Sequence, residues 1–253
     1  MPNYYDSQSQ LNEYLVFHYG DDEDILNWEF GPKQALGFHQ RLVNCIDKQR
    51  IGSNSRGLDL GCAVGRVTFE LARYCESVIG IDYSEQFIAQ AKSIKLMGKV
   101  KFKLTREGML GDLVERQLPR QIDRERVSFR QADAEELPES IGKFDVVILA
   151  NLLDRLPHPQ KALAHLSAIT NPGAQVIICS PFTWWDDFTS SGERLGGFIR
   201  NDQEVTSMDT IEMLLRDDFE IIDMQDQPFL IREHERKIGF RDLEISCLLL
   251  AMP

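Results

Sequence analysis

Seven consecutive residues, Phe144 to Ala150 (FDVVILA), hold six apolar side chains and a single charge. A strand with one wet face alternates apolar and polar residues, so a continuous run of this length belongs to a strand buried on both faces, at the centre of a parallel sheet. Other short β-branched runs flank it from Arg56 onward: Gly57 to Leu60, Ser77 to Asp82, Val127 to Gln131, Ala174 to Ser180, Phe219 to Met224 and Leu243 to Ala251. Between them lie helical patterns. Val67, Leu71 and Tyr74 are spaced as one face of a helix over Val64 to Tyr74, and Ser84 stands where an N-cap belongs, ahead of Phe87, Ile88 and Ala91. Lys161 to Ile169 reads as a helix stopped by Asn171-Pro172-Gly173, and Met208 to Leu215 as another. Alternation of this kind specifies an α/β fold, a doubly wound and mostly parallel sheet.

The 253 residues, 43% hydrophobic, suffice for a sizeable core and partition most simply as one domain with an extension over 1–50 and an insertion over 97–126. In the insertion Lys99, Lys101 and Lys103 alternate with Val100, Phe102 and Leu104, the pattern of an exposed edge strand guarded by its lysines. The extension concentrates Tyr4, Tyr5, Tyr14, Phe17, Tyr19, Trp28 and Phe30, and reads as a lid. A net charge of −12 argues against nucleic acid as the general partner, because that affinity comes from Lys and Arg releasing counterions. It is unevenly spread. Met1 to Gly31 carries seven acids and no Lys or Arg, whereas Lys92 to Arg130 carries eleven basic residues against five acidic, the place where an acidic partner would dock.

No apolar run approaches a membrane span and the first ten residues are polar, so no membrane partner and a cytoplasmic location are expected. Five widely spaced cysteines without a Cys-x-x-Cys pair suggest neither a disulfide framework nor a metal site, and the five histidines lack ligand spacing.

The chemistry-bearing feature is Asp59-Leu60-Gly61-Cys62-Ala63-Val64-Gly65-Arg66, a glycine turn leaving a strand and opening a helix. Such a turn lets backbone N–H groups approach a ligand. Asp82, about twenty residues on at the end of the second strand, holds the position from which a carboxylate takes ribose hydroxyls, or alternatively caps the following helix. A dinucleotide fingerprint would put its third glycine at Arg66, a bulky cation, which disfavours a nicotinamide oxidoreductase.

Read as D-x-G-x-G-x-G with Ala63 at the middle glycine, the loop resembles that of class I S-adenosylmethionine-dependent methyltransferases. Gln131-Ala132-Asp133-Ala134, Phe144-Asp145, Asn151 to Leu156 and Asn171-Pro172-Gly173 follow in that family's order. The resemblance implies a Rossmann-like seven-stranded sheet, S-adenosylmethionine as cofactor, and contacts to it from Asp59, Gly61, Ala63, Gly65, Asp82, Tyr83, Asp133, Ala134 and Asn151, with Asp133 on the adenine amine and Asp59 helping to accommodate the sulfonium.

Further segments, Asn3 to Asp6, Leu11 to Gly20, Phe30 to Leu36, Ser180 to Trp184 and Pro228 to Lys237, resemble the methyltransferases of ovothiol biosynthesis, in their stand-alone form or as the C-terminal domain of a fused sulfoxide synthase. That resemblance implies a 5-mercaptohistidine acceptor methylated on an imidazole nitrogen and a possible sulfoxide synthase partner. It assigns Asn151 and Asp154 to catalysis, and Tyr14, His18, Tyr19, Arg155, Phe182, Trp184, Arg232 and Glu233 to the substrate. The residues leave alternatives open: Asp154 and Arg155 as a surface ion pair, Trp184 as loop packing, His18 as a lid residue rather than a base, and Arg232 and Glu233 as part of an edge strand. Histidine or another small metabolite as acceptor, and a cofactor-binding module without turnover, are the competing functions.

Overall fold

The computed structural model describes residues 7–241 and 246–251, and the side chains of residues 7–240; Tyr4 and Tyr5 lie outside the described residues. In chain order, α1 (Gln8–Tyr19), α2 (Asp22–Ile25) and α3 (Phe38–Asn44) precede β1 (Arg56–Leu60), α4 (Arg66–Leu71), β2 (Ser77–Asp82) and α5 (Glu85–Met97). A hairpin, β3 (Lys99–Glu107) and β4 (Leu110–Gln117), leads to β5 (Val127–Gln131), β6 (Phe144–Ala150), α6 (Pro159–Ala164), α7 (Leu166–Ile169) and β7 (Thr170–Cys179). After a short hairpin, β8 (Phe198–Arg200) and β9 (Gln203–Val205), come α8 (Ser207–Leu215), β10 (Glu220–Asp226), the hairpin β11 (Phe229–His234) and β12 (Lys237–Arg241), and β13 (Ser246–Ala251).

Seven strands form one sheet in the order β10-β13-β7-β6-β1-β2-β5. The five from β7 to β5 are mutually parallel, and β13 runs against both its neighbours. Strand β6 pairs on both sides, and its side chains divide between two cores. Val146 and Ile148 enter the layer with α1, α3, α4 and α5, while Val147 and Leu149 enter the layer with α6, α7 and α8. All four have no exposed surface, and burial of each is worth about 1.5–3 kcal/mol. Because the five strands are parallel, the loops leaving β1, β2, β5, β6 and β7 emerge along one edge, and the chain reverses winding direction between β1 and β6.

Two local expectations are corrected. The helix expected over Lys161–Ile169 begins at Pro159, whose fixed φ suits a first helical turn, and divides at His165 into α6 and α7. The stop at Asn171-Pro172-Gly173 lies inside β7: pairing passes from Phe144↔Thr170 to Val146↔Gln175, so five residues of β7 answer two of β6, with Gly173 at φ +81°.

The insertion is a two-stranded ladder of its own, and the free edge expected for its lysine strand is covered. Asn12 of α1 accepts the Lys103 N–H at 2.8 Å and donates to the Lys103 carbonyl at 2.9 Å, as a neighbouring strand would. The Glu235 N–H, from the turn between β11 and β12, donates to the Thr105 carbonyl at 3.0 Å. Extension, insertion and C-terminal hairpin thus form a cap against α4 and α5, with Leu11, Leu15, Phe102 and Phe229 buried in the same apolar cluster as Val146 and Ile148. No helix among the described residues is long and apolar enough to cross a membrane.

Candidate functional site

At the end of β1 the chain turns through Gly61 (φ +80°), Ala63 (φ +46°) and Gly65 (φ +90°). The Gly61 and Cys62 N–H groups both donate to the Ile81 carbonyl at 2.8 Å. A Cβ on Gly61 would fall 2.8 Å from Leu152 Cδ1, and one on Gly65 would fall 2.6 Å from two ring carbons of Phe129. Glycine is required at both positions. Ala63 adopts the left-handed conformation that the middle glycine of such loops takes freely, at a cost of roughly 1 kcal/mol.

Asp82 holds that shape. Its Oδ2 accepts the Ala63 N–H at 2.8 Å and its Oδ1 the Ser84 N–H at 2.9 Å, while Ser84 Oγ accepts the Phe87 N–H and caps α5. Burial pushes the Asp82 carboxyl up to about 6 against the pull of these N–H donors. Asp59 sits differently. Only 2% exposed, it accepts the Thr68 hydroxyl at 2.6 Å, and burial raises its carboxyl to about 7. Through Thr68 it ties the end of β1 to the first turn of α4.

The loops after β2 and β5 are tied together, Ala132 N–H to the Asp82 carbonyl at 3.2 Å and Gln131 Nε2 to the Tyr83 carbonyl at 3.1 Å; the Tyr83 side chain stays exposed. Half-buried Asp133 accepts the Glu135 N–H at 2.8 Å, and Ala134 beside it is buried. Glu135 anchors this segment to α6 by accepting the His158 N–H at 2.6 Å and pairing with His158 Nδ1 at 3.0 Å.

After β6, Asn151 is left-handed (φ +53°) and its N–H donates to the Cys179 carbonyl at 2.7 Å, joining the β6 and β7 strand ends. Its side-chain Oδ1 is buried and has no hydrogen-bond partner among the described residues. A buried amide oxygen left unsatisfied costs about 1–3 kcal/mol, and it marks a position where a ligand donor fits. Phe182 (φ +47°) and Trp184 (φ +44°), in the loop after β7, share the strained conformation, and their rings stack 6.1 Å apart.

Asp154 has no exposed surface and is committed inside the protein: Oδ1 accepts Ser180 Oγ at 3.1 Å, and Oδ2 accepts both the N–H and the hydroxyl of Thr183, at 3.1 and 2.7 Å. It pins the loop carrying Phe182 to the loop carrying Asn151. Arg155 lies over Trp185 and Phe188, 4.6 and 5.1 Å from the ring centres, and donates to Thr183 Oγ1 at 3.1 Å. Trp184 is 7% exposed and donates to Ser207 Oγ at 2.9 Å, so it packs the core. Thr68, which orients Asp59, was not singled out in the sequence, and Ser180 and Thr183, which orient Asp154, stood there only within a resembling segment, without a role. Hydroxyls acting across 9 to 29 residues leave no spacing signal.

From the cap, the Tyr14 ring packs at a tilt of 41° against Phe87, 4.8 Å between ring centres, and the buried Tyr19 hydroxyl donates to the Val64 carbonyl at 2.7 Å, so α1 touches the glycine turn and the start of α5. His18 lies 4.2 Å from His39, ring centre to ring centre; burial, then the Arg66 charge, lowers it to about 3, and it stays neutral. Arg232 is buried and donates to the Asp24 carbonyl, and Glu233 pairs with Lys237. Both are engaged within the cap.

Residues 58–178 match the family model described as a methyltransferase domain. Ubiquinone biosynthesis O-methyltransferases of Pseudomonas aeruginosa and Dechloromonas aromatica are 28% and 27% identical over 151 and 153 residues, 59% and 60% of this chain and 53% and 54% of the relatives. The chain thus spans about half the length of the curated relatives it matches. Among solved structures, magnesium protoporphyrin IX methyltransferase from Synechocystis PCC 6803 with bound SAH aligns at a TM-score of 0.56 and 17% identity, covering 98% of this chain and 97% of that one. An N-methyltransferase from Bradyrhizobium japonicum WM9 aligns at 0.51 and 17%, covering 85% and 94%. At these identities the structural likenesses establish the fold.

Proposed function

We propose that residues 58–178, which match a methyltransferase-domain model, act with S-adenosylmethionine, and that the chain methylates a small molecule whose accepting atom is an imidazole nitrogen of a 5-mercaptohistidine-like amino acid. When bound, the cofactor supplies an electrophilic methyl group on a sulfonium. The residues present fit it. Asp82 has lone pairs to spare for ribose hydroxyls, Asp133 for the adenine amine, and the Gly61–Gly65 turn gives close backbone approach.

The observation that carries the acceptor reading is the unpartnered Asn151 Oδ1 beside that turn. A neutral imidazole has one N–H and one bare nitrogen. If Asn151 accepts the N–H, the tautomer is fixed and the other lone pair is free to attack. An amide oxygen takes no proton, which suits a nucleophile that needs none removed. A phenolic oxygen, with its proton held to a pKa near 10, needs a base; His18, lowered to about 3, is a poor one. Phe182 and Tyr14 supply ring walls and Arg155 a carboxylate partner for the amino-acid end. Fixing the ring against the methyl accounts for roughly 7–11 kcal/mol of barrier lowering.

The names of the curated relatives make a phenolic oxygen the rival acceptor. Full-length protein incubated with methyl-labelled S-adenosylmethionine and, separately, 5-mercaptohistidine, histidine and a catechol decides between them. We expect label in mercaptohistidine far above the others; transfer only to the catechol overturns the acceptor, and cofactor binding without transfer to any small molecule overturns the enzyme in favour of a binding module.

A further inference from the structure

Three segments far apart in sequence meet at one charged node. Asp24 of α2, 5% exposed, accepts Arg116 Nη2 at 2.6 Å, and Arg116 Nε lies 2.6 Å from Asp21 Oδ2. Arg232 of β11 donates to the Asp24 carbonyl. Extension, insertion and C-terminal hairpin are therefore joined through Arg116 and Asp24. Such a node contributes little as surface charge, but a buried carboxylate whose partner is removed is strongly destabilised, so it specifies one arrangement.

That arrangement reaches the cofactor loop. Following Gly20, α2 fixes the end of α1, and from α1 the Tyr19 hydroxyl holds the Val64 carbonyl at 2.7 Å and the Tyr14 ring packs at a tilt against Phe87 at the start of α5. Val64 lies between Ala63, which is strained, and Gly65; Phe87 is bound to Ser84, which is bound to Asp82. Both halves of the cofactor turn are thus braced by one helix, and Arg116 clamps the segment that follows its C-terminal end.

We infer that Arg116 is a positioning residue for cofactor binding: through Asp24 and α1 it holds the Gly61–Gly65 turn in its binding shape. The inference rests on the cofactor site alone and is independent of which acceptor is methylated. It also gives the basic insertion an acidic partner within the chain.

The test uses the full chain with S-adenosylhomocysteine as probe. Arg116→Met should weaken its binding at least fivefold and speed hydrogen exchange over residues 8–25, with β6 and β7 unchanged, and Arg116→Lys should recover most of the affinity. Arg116→Met with Asp24→Asn removes both members of the pair, so no carboxylate is left buried without its cation and Glu235 still faces Arg232, and should melt near the parent yet keep the weakened binding. In the unaltered protein, saturating probe should slow exchange over residues 8–25 as well as in the turn. Unchanged affinity in the folded double variant, protection confined to the turn, or faster exchange spread evenly through the sheet overturns the assignment.

Discussion

The sheet and the cap share one apolar cluster and differ in what is added to it. In the sheet, Val146 to Leu149 have no exposed surface and exchange water for two apolar layers, a gain that is non-directional and insensitive to salt. In the cap, Asn12 stands in for a strand against Lys103, and Arg116 and Arg232 converge on Asp24. Those contacts are directional and depend on long-range pairing. The difference teaches that the candidate site sits where the sheet meets an extension that shares its apolar cluster and is placed by polar contacts between distant segments, with Tyr19 against the glycine turn and Tyr14 against the start of α5.

The comparison breaks most easily at two glycines. Gly65→Val forces a side chain into Phe129 at a φ of +90°, and should cost about 4 kcal/mol or more in urea unfolding. Gly108→Ala in the insertion, at φ +53° with nothing within 4 Å of an added Cβ, should cost about 1 kcal/mol. Equal costs would mean that the clash with Phe129 adds nothing to the backbone strain that both positions share.

Next in size is a pH effect confined to the sheet. Asp59 has its folded pKa raised to about 7, so the stability it contributes is full below about 4 and is lost as pH rises through 7. Asp59→Asn abolishes that loss. The stability gap between variant and parent should grow by about 1.4 kcal/mol per pH unit across that window, to a total on the order of 4 kcal/mol. His18, lowered to about 3, contributes in the opposite sense, present above 6.5 and lost as pH falls toward 3. Taking the difference between parent and Asp59→Asn cancels it, and a gap independent of pH would show that Asp59 is not sealed.

Asp82→Ala should weaken S-adenosylhomocysteine binding by about 1.5–3 kcal/mol by calorimetry, since it removes a charged acceptor that also shapes the turn. Smallest is a gain. Ala63→Gly relieves the left-handed strain and should raise the melting midpoint by a stability equivalent of about 0.5–1 kcal/mol; a lower midpoint would show that the turn stores no strain at Ala63.

How much of this was legible follows from the range of each signal. The strands Ser77 to Asp82, Val127 to Gln131 and Phe144 to Ala150 appear at the residues their apolar runs mark, and Ser84 caps its helix, because hydrophobic pattern and capping act within a few residues. The turn was legible through its glycines, and its departure, Ala63, is absorbed by strain rather than by a new shape. What escaped depended on distant partners. Nothing near Lys103 announces Asn12, 91 residues earlier, and nothing near Arg116 announces Asp24, 92 residues away. Asp154 and Trp184 carry the residue types of a substrate site, but Thr183 and Ser207 draw them inward, a fact only the packed loops reveal. Asn171-Pro172-Gly173 signals a break correctly, and the break falls within a strand because β7 continues on both sides of it.

The central claim, methyl transfer to an imidazole nitrogen held at the strand ends of β1, β2, β5 and β6, is tested most directly by the position of the methyl in the product. S-adenosylmethionine labelled with carbon-13 in its methyl group, turned over by the full chain with 5-mercaptohistidine, should give a methyl signal correlated to ring carbons on either side of one imidazole nitrogen. A methyl signal correlated instead through sulfur, or a methyl found only on the oxygen of a phenolic competitor in the same tube, would contradict it.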